Sequence, residues 1–198
     1  MSSSFKKISN NNYTVDEVIH RLSSLSNKKT LLSMKRFGIN IDSAYGVSIR
    51  ELRIIAKAIG KSHTLALELW KTKVHEAKVL ASMVDNPNLV SSDQMDQWAK
   101  DFDSWDVCDE CCINLFVKTP FAYEKATQWA LLNDPFIKRA GFVLMATLVL
   151  HDKAADGDKF ATFSNVIRAN SGERRRIVKR AIAWALREIE KRNNADDR

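Results

Sequence analysis

Ser48-Ile49-Arg50-Glu51-Leu52-Arg53-Ile54-Ile55-Ala56-Lys57-Ala58-Ile59-Gly60 carries one complete helix signal. Ser48 and Glu51 form a Ser-x-x-Glu capping box, which satisfies the orphan N–H groups of a helix start. Leu52, Ile55, Ala56 and Ile59 recur at helical spacing, and Gly60 stands where a C-terminal cap belongs. The same grammar repeats downstream. Leu65, Ala66, Leu69 and Trp70 make the next apolar stripe; Ala77, Leu80, Ala81 and Val84 make another, halted by Asn86-Pro87. Ser91 with Gln94 opens a helix whose inner face is Met95, Trp98, Ala99 and Phe102. Ser104 or Asp103 caps the following one, which stops before Pro120.

Ala122, Ala126 and Trp129 mark a further helix. Asp134-Pro135 is a strong helix entry, Asp as N-cap and Pro at the first helical position, with Ala140, Leu144, Thr147 and Leu148 as its stripe. A polar loop from His151 to Asp158, a helix through Phe160, Phe163 and Ile167, and a last helix from about Glu173 to Arg192 complete the pattern. No strand pattern competes. Ten or so helices of roughly 10–18 residues joined by short loops predict an all-α chain, either a bundle or an α-solenoid. Helix pairs recur at roughly 30–45 residues, within the range of HEAT-like repeats. One domain is expected over residues 13–192, with a disordered segment at 1–12 and a frayed tail at 193–198.

The 198 residues carry a formal net charge of +7, which favours polyanions through long-range attraction and counterion release without identifying one. The longest apolar run, Ala140 to Leu150, is too short to cross a membrane, and Met1 to Asn12 has no signal-peptide core. A cytoplasmic protein with access to the chromosome is the expectation. Cys108, Cys111 and Cys112 are odd in number and clustered, which argues against a disulfide framework. His20, His63, His75 and His151 are too scattered to complete a zinc set with them, so no metal is expected and the thiols read as buried and unreactive.

Two segments carry chemistry. In Ser104-Trp105-Asp106-Val107-Cys108-Asp109, Trp105 and Asp109 are four apart and share a helix face in its first turns. A carboxylate beside an aromatic ring is a receptor for a cation; a core tryptophan with a helix-start acid is the plainer alternative. In the last helix, Arg174, Arg175, Arg176, Lys179 and Arg180 are placed to meet phosphates near a helix N-terminus, or else form a solvated face, and Trp184 follows them. Lys138 and Arg139 stand in the first turns of the Asp134-capped helix, where an arginine can hold a phosphate bidentately.

These residues resemble a known family. Tyr45-Gly46-Val47, Leu52-Arg53, Ala56-Lys57, Leu69-Trp70 and Glu76-Ala77 look like the N-terminal motifs of the AlkD-like DNA alkylation repair proteins. Ser104 to Asp109, Lys138-Arg139-Ala140 and Ala181 to Glu188 look like the later ones, so the similarity spans about Asp16 to Arg192. The resemblance implies a HEAT-like α-solenoid with a basic concave face. It also implies a glycosylase that hydrolyses the N-glycosidic bond of N3- and N7-alkylated purines in double-stranded DNA. By motif position Asp109 matches the catalytic carboxylate, Trp105 and Trp184 the aromatic residues beside it, and Arg139 the arginine on the DNA backbone. No cofactor and a monomeric state go with that expectation. The cysteine cluster and the N-terminal segment depart from the family pattern and leave the range of adducts open. A non-catalytic DNA-binding scaffold and a protein-interaction module are the competing readings.

Overall fold

The computed structural model describes residues 13–152 and 157–196. The segment 1–12, read as disordered, lies outside them, as do residues 153–156 of the polar loop and the last two residues of the tail. Eleven α-helices and one 3₁₀ turn make up the described residues, and no strand occurs among them. None of these helices is long and apolar enough to cross a membrane. The chain divides into two compact units, residues 1–90 and 91–198.

The first unit holds α1 (Val15–Ser24), α2 (Lys28–Arg36), α3 (Ile49–Ile59), α4 (His63–Lys71) and α5 (His75–Val84). The capping box of α3 forms as the sequence predicts, with Ser48 accepting from the Glu51 N–H and Glu51 reaching back to Ser48. An equivalent box, Thr14 with Glu17, opens α1. The hub of the unit is Glu76, 1% exposed. Its carboxylate accepts the backbone N–H groups of Tyr45, Gly46 and Val47 at 2.6–3.1 Å, fixing the turn that leads into α3. Gly46 sits at φ +78°, and a Cβ there would lie 2.4 Å from the Asn27 carbonyl oxygen, so the turn admits only glycine.

The second unit holds α6 (Ser92–Lys100), α7 (Trp105–Asn114), the 3₁₀ turn Phe116–Lys118, α8 (Ala122–Leu131), α9 (Pro135–His151), α10 (Gly157–Ala169) and α11 (Arg176–Asp196). Asp134 caps α9 through the N–H groups of Phe136 and Ile137, as its sequence promises. Instead of the single apolar stripe expected of it, α9 is buried continuously from Arg139 to Val149. It is the central helix of the unit, packed against α6, α7, α8 and α11, and a helix apolar all round belongs in that position. Gly141 permits the approach of α8: a Cβ there would meet the Ala130 backbone nitrogen at 2.4 Å. Phe116, fully buried, packs against Trp98, Phe102 and Trp129 with ring centroids 5.8–6.5 Å apart.

Two boundaries depart from the sequence reading. The last helix begins at Arg176, not near Glu173, because the Glu173 carboxylate binds both the Arg175 backbone N–H and its guanidinium in a local turn. It also continues to Asp196, past Asn193 where a frayed tail was expected.

A buried carboxylate–guanidinium pair as the candidate site

Helix α7 starts at Ser104, although not in the way a serine cap usually works. The hydroxyl donates to the Asp106 carboxylate, which itself accepts the Val107 N–H at 3.0 Å. Trp105 and Asp109 are the first and fifth residues of the helix, on one face, half-buried. Helix α9 runs alongside in parallel register: the Cys108 thiol approaches the Phe136 carbonyl at 3.5 Å and the Cys112 thiol the Ala140 carbonyl at 3.7 Å, four residues further on each helix. These small side chains let the two helices lie close.

That register sets Arg139, the fifth residue of α9, against Asp109. Arg139 Nε donates to Asp109 Oδ1 and Nη2 to Oδ2, both at 2.7 Å, a fork-to-fork pair. A third nitrogen, Nη1, donates to the carbonyl of Ile177 in the first turn of α11. The guanidinium carbon also lies 5.7 Å from the centre of the Trp105 ring. The N-terminal turns of α7, α9 and α11 therefore meet at one ion pair, whose side chains are 15% (Asp109) and 8% (Arg139) exposed.

Burial pushes the Asp109 carboxyl up, and the hydrogen bonds and charge of Arg139 oppose that rise. Burial likewise disfavours the charge on Arg139, but Asp109 outweighs it and holds the guanidinium above its ordinary value. One N–H donor on each oxygen is the arrangement an ionised carboxylate accepts. Each of those oxygens keeps a second lone pair, and two guanidinium N–H groups are not used by the three bonds described. The pair is thus able to take a water or a hydroxyl on its acidic side and an anion on its basic side.

The thiols beside it are chemically quiet. Cys108, Cys111 and Cys112 are free and buried, and burial raises the first and third further above the ordinary thiol range. Among the described residues no three His, Cys, Asp or Glu side chains group as metal ligands.

Of the residues expected to form the site, Trp105, Asp109 and Arg139 come together. Trp184 lies half-buried on α11, seven residues and about 10 Å of helix beyond Ile177. Lys138 is half-buried in the first turn of α9, near Glu173, whose pKa its charge helps to lower. Arg174, Arg176, Lys179 and Arg180 are exposed on or just before the start of α11. Arg175 is engaged with protein groups: it forms an ion pair with Glu173 at 2.6 Å and donates Nη1 to the Asn133 carbonyl. Arg139 reaching α11, and Arg175 reaching the connector before α9, stitch this end of the unit twice.

A family model for DNA alkylation repair enzymes matches residues 18–198. The chain belongs to that family. The repair-family chain is also similar to a solved structure from a family described as related to the HEAT-like repeat DNA glycosylases with affinity for branched DNA structures. The likeness covers 89% of this chain and 76% of that one, at 20% identity and a TM-score of 0.81, and it shows the fold to be HEAT-like. No curated protein sequence matches the chain.

Membership of the repair family gives the motif residues of the first unit a physical meaning: Tyr45-Gly46-Val47 and Glu76 are the two halves of one buried hydrogen-bond cluster. Sequence reasoning missed Glu173, Asn133 and the Ile177 carbonyl. Two of those three contacts use main-chain oxygens, which leave no mark in sequence.

Proposed function

We propose that the protein is a DNA glycosylase acting on N3- or N7-alkylated purines in double-stranded DNA. An alkylated purine carries positive charge and departs with the electron pair of the glycosidic bond, leaving as a neutral base. The sugar it leaves is oxocarbenium-like, and a water then adds at its anomeric carbon and loses a proton. The chemistry requires a fixed negative charge near that sugar and a placed water, not protonation of the base. Asp109 supplies both, through the lone pairs that Arg139 does not occupy. Arg139 keeps the acid ionised and oriented while directing its remaining N–H groups to a backbone phosphate. Trp105 excludes bulk water on one side, and Trp184 flanks the lesion from α11. Lys138, Arg174, Arg176, Lys179 and Arg180 extend the phosphate contacts, with Arg175 holding the connector rather than the DNA.

The observation that carries this reading is the bidentate pair of Asp109 and Arg139 beneath the Trp105 ring, in a member of the alkylation-repair family. Release of 7-methylguanine from methylated duplex DNA tests it. Asp109→Asn is expected to lower the rate by ~10²-fold or more while leaving DNA affinity nearly unchanged. Equal release by the variant would remove Asp109 from the chemistry.

A second reading has its own support. Both Asp109 oxygens are already bonded to Arg139, as in a purely architectural pair, and the structural neighbour is described by its affinity for branched DNA. A DNA-binding protein without base chemistry would bind duplex with a steep salt dependence and release no base, in wild type and variant alike.

A further inference from the structure

Helix α2 adds no buried side chain to its unit. It is anchored at its start, where the Asn27 N–H and the Ser26 hydroxyl both donate to the Tyr45 carbonyl. The helix contains no acid and four exposed cations, Lys28, Lys29, Lys35 and Arg36. Leu32 stands among them, 62% exposed. Helix α3 repeats the arrangement on the face turned away from its buried Leu52, Ile55 and Ile59. There Arg50, Arg53 and Lys57 are exposed around Ile54, itself 61% exposed. The one acid of α3, Glu51, is bound in the capping box. None of these seven cations makes an ion pair with a described residue.

The two helices share one spacing. Lys28, Leu32 and Lys35, and likewise Arg50, Ile54 and Lys57, fall at i, i+4 and i+7, within about 60° of one another around the helix. Folding alone favours none of this. Like charges at such spacing repel, and Lys28, Lys29 and Arg50 stand in first turns, where the macrodipole disfavours cations. An exposed aliphatic side chain gains nothing from the core. A polyanion that is apolar between its charges reverses each of these costs. Seven residues of helix span about 10.5 Å, over which one strand of B-DNA carries about three phosphates. A lipid surface would call for a continuous apolar face, and each helix offers one aliphatic side chain among cations. We infer that the exposed faces of α2 and α3 grip the sugar–phosphate backbone of duplex DNA, with the cations on phosphates and Leu32 and Ile54 against the deoxyribose between them. Contacts of this kind supply affinity and position without reading a base or its alkyl group.

The inference rests on the proposed DNA-binding reading. Its test is the salt dependence with which the full chain binds an undamaged duplex. The α2 variant is Lys28→Gln/Lys29→Gln/Lys35→Gln/Arg36→Gln. A control, Lys71→Gln/Lys73→Gln/Lys100→Gln/Lys118→Gln, removes the same charge from other exposed positions. A third variant, Leu32→Ser/Ile54→Ser, removes no charge. Every substituted side chain is exposed, so all three are expected to melt like wild type. The α2 variant is expected to bind at least ~10-fold more weakly at low salt, with the slope of log affinity against log salt reduced by about 2–4. The control is expected to keep the wild-type slope, and the Leu32→Ser/Ile54→Ser protein to bind several-fold more weakly at that same slope. An α2 variant with the wild-type slope overturns the inference, as does a control that loses as much as the α2 variant. A Leu32→Ser/Ile54→Ser protein that binds like wild type overturns it in favour of a plain solvated face. Binding to phosphatidylserine vesicles that the α2 variant loses, with duplex affinity unchanged, overturns it in favour of a membrane surface. Failure of wild type to bind duplex at low salt would instead strike the DNA-binding reading itself.

Discussion

Glu76 in the first unit and Asp109 in the second are both drawn in from solvent, and the two are satisfied in opposite ways. Glu76 is closed off by three consecutive backbone N–H groups, which cannot leave without unfolding the turn they belong to. Asp109 is held by a side chain, the Arg139 fork, and keeps 15% of its own side chain exposed. An acid bonded to main chain is architecture. A cation bonded to an acid can exchange that partner for an incoming polyanion, which is what the proposed function asks of Arg139. The contrast explains why the two acids, comparable in their motif strength, are assigned different work.

Variants that separate the two acids bear on this difference. The largest stability effect is expected at Glu76: its replacement by Ala leaves three N–H groups without an acceptor and should cost ~3–5 kcal/mol in urea unfolding at neutral pH. A loss below ~1 kcal/mol would mean the turn finds other acceptors and the contrast fails. Arg139→Ala comes next. It strands Asp109 with burial alone acting on it, so the acid resists ionisation and the cost, about 2–3 kcal/mol, should shrink as pH falls and Asp109 takes a proton. A pH-independent cost would show that Asp109 is not the group left uncompensated. The same variant should bind alkylated duplex more weakly.

The smallest effect is expected at the stitch before α11. Arg175, by hydrogen bond above all, holds the Glu173 carboxyl down to about 2 from 4.5. Its folded pKa lies below its unfolded one, so its contribution to stability is present above about pH 4.5 and is lost as pH falls toward 2. Wild type and Glu173→Gln should therefore differ at neutral pH and converge in acid, in paired denaturation curves. Curves that stay parallel to low pH would detach Glu173 from that role.

Much of this architecture was legible in the residues. Ser48 with Glu51, Ser91 with Gln94, and Asp134-Pro135 announce helix starts because capping is local chemistry, completed within three residues. Trp105 and Asp109 declare a shared face by spacing alone. Helix α2 gave no such sign: none of its nine residues is buried, so no apolar stripe exists to be read. Helix α1 could have been found, because Thr14 and Glu17 spell the same box as Ser48 and Glu51. The start of α11 was misplaced because Glu173, three positions too early, spends its carboxylate on Arg175. The partnership of Asp109 with Arg139 spans thirty residues and depends on the parallel register of two helices. Only packing reveals that Arg139 is largely committed inside the protein.

The three cysteines of α7 have a bearing on survival under chemical attack. Electrophiles that methylate purines also react with thiolates, and a repair protein must keep its own sulfur intact while such reagents are present. Sealed between α7 and α9 and biased toward the protonated form, Cys108 and Cys112 offer those reagents no nucleophile next to Asp109. The helix that brings the acid to its place is thereby shielded from the damage it would be called on to reverse.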